Sequence, residues 1–93
     1  MKSFDVSAES EEQLEEEAQR FLDRISKNVE RIREKRGITK LDASRALGFM
    51  YPDHYSRMEL RSNGKHFNLL HLYKLSRIFD VDVSEFFSAE KLQ

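Results

Sequence analysis

Apolar residues fall at Leu14, Ala18, Phe21, Ile25 and Ile32, separated by four, three, four and seven positions, with Leu22 and Val29 beside them. That spacing places them on one side of a helix and predicts a heptad-like stripe. Ser10-Glu11-Glu12-Gln13 reads as a capping box, with glutamates at the positive end of the helix dipole. No glycine or proline interrupts the chain from Ser10 to Arg36, so one long helix over that span fits the pattern. A break near Ser26-Lys27-Asn28, with Ser26 capping a separate helix, fits it too.

Beyond this point the periodic segments shorten and punctuation becomes frequent. Gly37 is placed as a left-handed C-cap, and Thr39 opens a helix with Asp42 at its third position. Ala43, Ala46 and Leu47 mark its inner side, and Gly48 ends it. After the apolar turn Phe49-Met50, Pro52 suits the first position of a new helix, which runs to about Leu60. Arg61 to His66 reads as a loop in which Gly64 takes positive φ. Asn68 caps a fourth helix with Leu69, Leu72, Leu75, Ser76 and Phe79 on one buried face. Asp82 and Glu85 make a capping box for a last short helix holding Phe86 and Phe87. No convincing period-two alternation occurs beyond Phe4-Asp5-Val6, so the expected class is all-α.

Composition narrows this picture. The chain has 93 residues, 39% apolar and 35% charged, which suits one small domain with a modest core and charged helix faces. Without cysteine there is no disulfide or thiolate chemistry. No apolar run approaches the roughly 18 residues of a membrane span, and the acidic N-terminus does not read as a signal peptide. A cytoplasmic protein without membrane attachment is expected. The net charge of −1 hides an asymmetry. Residues 1–23 carry two basic and eight acidic side chains, a balance of −6, whereas residues 24–93 carry 14 basic and nine acidic, a balance of +5. This divides the chain into an acidic N-terminal helical extension, 1–23, and a basic domain, 24–93. Local charge next to a duplex governs counterion release, so the basic portion points to nucleic acid.

From about Asn28 to Phe87 the chain resembles the phage repressor and Cro type (XRE-like) of helix-turn-helix regulator. The residues that carry the resemblance are Ile32-Arg33, Gly37-Ile38-Thr39, Leu47-Gly48, Tyr55-Ser56-Arg57-Met58-Glu59, Leu69, Leu72 and Leu75-Ser76, and Val81 through Phe87. The resemblance implies a bundle of five helices that binds operator DNA as a symmetric homodimer. It also implies an ion pair between Arg33 on the first helix and Glu59 at the end of the third. Three features depart from the family pattern. Ala43-Ser44 replaces a large aliphatic residue followed by alanine, the turn after Gly48 looks one residue longer, and the loop after Glu59 about two.

In such a motif the third helix lies in the major groove and the second braces it. Anchoring that helix on Tyr55 and Met58 turns Pro52, Asp53, Ser56 and Arg57 outward, with His54 at the flank. Arg57 is the candidate base reader, because its fork matches guanine O6 and N7; pairing with a phosphate or a nearby carboxylate is the plainer alternative. Asp53 either accepts from a cytosine amino group or caps its own helix. His54 meets a phosphate or base edge, or is solvated. Lys40 and the loop residues Arg61, Asn63 and Lys65 are candidate phosphate contacts, which position the protein without reading sequence.

A DNA-binding transcriptional regulator, a repressor or controller of an inverted-repeat operator, is therefore the expected function. The alternative is an antitoxin-like interaction module, whose acidic N-terminal segment takes a basic protein partner. Dimerisation is expected through Phe86, Phe87 and Leu92, with the N-terminal stripe as a competing surface or as an arm packed on its own core; packing on the protein itself is the expected outcome. No cofactor is expected. His54, His66 and His71 lack zinc-site spacing on one helix face, and no glycine-rich phosphate loop follows a strand, so no catalytic activity is expected.

Overall fold

The computed structural model describes residues 8–89, and these are helical without a strand. Four α-helices run α1 (Ala8–Lys35), α2 (Lys40–Ala46), α3 (Pro52–Leu60) and α4 (Leu69–Phe79). Short 3-10 segments lie at Ser62–Gly64 and Val83–Phe87, so the expected fifth helix is a 3-10 helix. No helix among the described residues is long and apolar enough to cross a membrane.

At about 1.5 Å per residue, the 28 residues of α1 span nearly the whole 43 Å long axis of the molecule. The helix passes through Ser26-Lys27-Asn28 without a break. Ser and Asn weaken helices because their side chains compete for nearby backbone groups. Here both are occupied elsewhere. Ser26 Oγ donates to the Met58 carbonyl at 2.8 Å, and Asn28 Nδ2 donates to the carbonyls of Phe86 and Ser88, both at 2.9 Å. These bonds tie α1 to the end of α3 and to the closing 3-10 helix. At the other end α1 is already helical at Ala8, so Ser10 lies inside the helix and is not its cap. Ala and Glu are good helix formers, which lets the first turn extend upstream of the serine.

Gly37, at φ 71°, closes α1 with two bonds, Gly37 N to Glu34 O at 3.0 Å and Ile38 N to Arg33 O at 3.1 Å. This Schellman arrangement satisfies carbonyls that the helix end leaves free. Thr39 then accepts from the Asp42 amide at 3.1 Å and starts α2. Asn68 caps α4 reciprocally: its Oδ1 accepts from His71 N at 2.8 Å, and His71 Nδ1 accepts from Asn68 N at 3.1 Å. Asp82 accepts from Ser84 N at 2.9 Å, not from Glu85 N, whose amide donates to the Asp82 carbonyl in 3-10 fashion at 3.0 Å.

The core gathers Ile25, Val29 and Ile32 of α1 with Ala43, Leu47, Tyr55, Met58, Phe67, Leu72, Leu75, Phe79 and Phe86. Leu69 is not part of it. It is 76% exposed, because Phe67 has already filled the space under the start of α4, with its ring 5.5 Å from that of Tyr55. The stripe on α1 is buried only from Ile25 onward; Leu14, Ala18 and Phe21 are exposed, so packing of the whole stripe on its own core does not occur. The C-terminal aromatics show the opposite correction. Phe86 is fully buried against Phe79, centroids 6.1 Å apart, and Phe87 stacks on Phe21 at 6.2 Å. Two adjacent aromatics fit within one small domain because α1 reaches far enough to cover the second. Phe86 is thus unavailable as the expected dimer surface, Phe87 is half-buried against Phe21, and Leu92 lies outside the described residues.

Candidate nucleic-acid interface

The connection from α2 to α3 is short and pinned. Leu47 N donates back to Ala43 O and Ser44 O, Gly48 takes φ 87°, and Phe49 N donates to Ser44 O at 3.0 Å. Ser44 itself is fully buried, and its Oγ donates to the Tyr51 carbonyl at 2.8 Å. A hydroxyl at this position fastens the last residue of the turn to α2. An aliphatic side chain there makes no such bond, so Ser44 suits the turn it must hold. Pro52 then begins α3 with its φ already helical.

The inner face of α3 consists of Tyr55, Met58 and Glu59, all buried. Glu59 is the center of a polar cluster inside the fold. Arg33 Nε donates to Oε2 at 2.7 Å, Arg33 Nη2 to Oε1 at 3.4 Å, and the Tyr55 hydroxyl to Oε2 at 2.6 Å. Arg33 Nη1 completes the cluster by donating to the Ile38 carbonyl at 2.8 Å. Burial alone would disfavour the Arg33 charge, but the hydrogen bond and charge of Glu59 outweigh it and hold its pKa above the usual value. Burial, and then the bond to Glu59, push the Tyr55 phenol well above the usual range. The carboxylate therefore receives three donors where water cannot reach it, and α3 is fixed in rotation against α1.

That fixed rotation decides what α3 shows to solvent. Asp53, His54 and Arg57 are exposed, and Pro52 and Ser56 are half-buried. The His54 ring lies against Phe49, centroids 4.8 Å apart, and Phe49 in turn meets His71 edge-on at 5.9 Å. A shallow cleft of about 340 Å³ is lined by residues 48–51 of the turn with Asp53, His54 and Arg57. Met50 and Tyr51 project from it, 74% and 68% exposed. Neither is among the contacts expected from the sequence, where Met50 counts only as part of the apolar turn Phe49-Met50. The available signal is that Phe49, Met50 and Tyr51 are three apolar residues in a turn whose single inward position takes only one of them.

The other candidates scatter around this face with different roles. Lys40 is half-buried at the start of α2, while Asn63 and Lys65 are exposed in the loop after α3. Asn63 adopts φ 53° and ψ 35°, a left-handed conformation that asparagine tolerates. Arg61 points elsewhere. Its Nε donates to Asp23 Oδ1 at 2.8 Å, Nη1 to the carbonyls of Gly64 and Lys65 at 2.9 Å, and Nη2 to Gln19 Oε1. The guanidinium is spent on α1 and on its own loop and is not free for a phosphate. Its backbone is left-handed, φ 58°, at the C-cap of α3. Among the described residues no three His, Cys, Asp or Glu side chains lie close enough together to hold a metal ion.

No family model matches the chain, and neither a curated protein nor a solved structure does.

Proposed function

We propose that this chain is a sequence-specific DNA-binding regulator of transcription, a repressor or controller, that docks α3 in the major groove as a homodimer. The observation that carries the reading is the two-sided character of α3. Its inner side is locked by Arg33, Glu59 and Tyr55, and its outer side leaves Asp53, His54 and Arg57 free beside a turn stapled by Ser44. A groove reader needs a helix whose rotation does not drift, because base edges are distinguished by side chains placed to within a hydrogen bond.

In this reading Arg57 bonds a guanine, and Asp53 and Ser56 face the neighbouring base pairs. Tyr51 and His54 meet the sugar–phosphate at the edge of the groove, and Lys40, Asn63 and Lys65 hold flanking phosphates. Arg61 leaves the phosphate set and serves as a brace. The +5 balance of residues 24–93 supplies the long-range attraction. Footprinting on the DNA upstream of its own gene tests the proposal. The expected result is a protected inverted repeat with half-sites about 34–36 Å apart, one turn of the duplex. Absence of protection at low salt and micromolar protein would count against it.

A further inference from the structure

The first half of α1 carries a stripe that, among the described residues, only Phe87 touches, and only at Phe21. Every side chain from Glu11 to Ala18 is exposed, and on the stripe itself Leu14 is 48% and Phe21 40% exposed. The segment is nonetheless an ordered continuation of a core helix. It is braced from one side by Arg61, through Gln19 and Asp23, and from the other by the stacking of Phe21 on Phe87. Those two contacts hold the stripe out beyond the core at a fixed angle.

Charge along α1 is sorted by position. Residues 9–17 include six glutamates and no basic residue, while residues 20–36 include Arg20, Arg24, Lys27, Arg31, Arg33, Lys35 and Arg36 against Asp23, Glu30 and Glu34. A second α1 laid parallel would set six glutamates beside six glutamates. Laid antiparallel, it sets the acidic half of each helix beside the basic half of the other, and pairing rules for helices favour that choice. The smallest residue of the stripe, Ala18, sits where acid gives way to base, and a small side chain there lets the helices approach closely.

We infer that two copies of this chain pair through the first halves of their α1 helices, antiparallel, crossing at Ala18. Leu14 of each then packs against Leu22, Phe21 and Phe87 of the other, and Glu17 of each lies near the partner's Arg20. Arg24, whose guanidinium lies 5.6 Å from the center of its own Phe21 ring, is placed beside the partner's Gln13. The same segment that carries Arg61's partners thus carries the dimer contact, so the pairing angle is transmitted directly to the end of α3. This deepens the homodimer of the preceding reading, and its test needs no DNA.

The chain has no cysteine, which makes the geometry directly readable. Leu14 and its symmetry mate, in an antiparallel pair centered on Ala18, are displaced by about eight residues or 12 Å along the axis, beyond disulfide reach. Under mild oxidation Ala18→Cys is expected to give a covalent dimer, Leu14→Cys alone is not, and Leu14→Cys mixed with Leu22→Cys is. In sedimentation the unmodified chain is expected to be dimeric, and Leu14→Glu to raise the dimer dissociation constant about ten-fold or more, with helicity and melting of the monomer unchanged. A chain that is monomeric at about 100 µM, which excludes a dimer dissociation constant below that range, overturns the inference and leaves the stripe to a basic protein partner. Self-crosslinking of Leu14→Cys as readily as Ala18→Cys also overturns it, since that is the signature of parallel helices. A dimer that footprints no DNA would cost the DNA reading alone, and a footprinting protein whose cysteine variants fail this pattern would cost the pairing alone.

Discussion

The outer face of α3 and the first half of α1 are both exposed and rich in charge, yet they rest on different foundations. Beneath α3 lie a buried carboxylate with three donors and the side chains of Tyr55 and Met58. Among the described residues, the first half of α1 has no core beneath it, and the braces from Arg61 and Phe87 lie at its inner end. Exposure alone does not separate them; what lies on the other side of the helix does. A surface held in rotation by buried polar bonds suits the reading of fixed features. An amphipathic helix with an uncovered stripe suits pairing with another helix.

The largest expected contrast follows from removing one carboxylate from each region. Glu59→Ala strands the Arg33 guanidinium and the Tyr55 hydroxyl inside the fold, a loss of about 3–5 kcal/mol. Thermal unfolding should register this as a fall in Tm of more than about 12 °C. Glu16→Gln, on the outer side of α1, should leave Tm within error. Equal effects from the two changes would mean that the two regions are not distinct. Replacing Arg33 and Glu59 together with apolar residues of similar size should recover much of the first loss.

Part of this contrast is written locally in the chain, and part is not. Gly37, Thr39, Pro52 and Asn68 mark element ends because capping depends on a few neighbouring residues, and the structure places each at an end. The stripe from Leu14 to Ile32 shows which residues share a side of α1, but periodicity carries no information about what covers that side. Leu14 and Ile25 are equivalent in pattern and opposite in burial. Ser26 and Asn28 looked like breakers because their partners, at Met58, Phe86 and Ser88, are distant in sequence. The approach of Arg33 to Glu59 entered only through family resemblance, since nothing in their separation along the chain announces it. Arg61 reads as a free base in a polar loop because its partners on α1, Gln19 and Asp23, are distant in sequence.

The next effect belongs to the outer face of α3. Arg57→Ala should cost about 1–3 kcal/mol at the preferred DNA site and relax the preference at one base pair. Tm should not change, which separates this face from the inner one. A smaller and less selective effect is expected of Lys65→Ala. It should weaken binding to all sequences alike and reduce the salt slope by about 1, measured by titration at several salt concentrations.

The smallest effect concerns the cap of α4. Burial, then the charges of Lys74, His54 and His66, hold the His71 pKa below its ordinary value. The unfolded chain therefore takes up this proton first as pH falls, so stability is greatest above the unfolded value of about 6.5 and declines below it. Protonation also removes the Nδ1 lone pair that accepts from Asn68 N. A set of melts from pH 7.5 to 5 should show this decline, and His71→Gln, which can still reach back to the Asn68 amide, should flatten it.

The central claim is that the outer face of α3 reads DNA sequence, and the most direct measurement is selection of bound duplexes from a random pool, followed by guanine N7 protection on the recovered sequence. The unmodified chain should recover an inverted repeat and protect a guanine in each half-site, and Arg57→Ala should leave that guanine unprotected. Recovery of no sequence above the random pool, or the same repeat with the same protection from Arg57→Ala, would contradict the account.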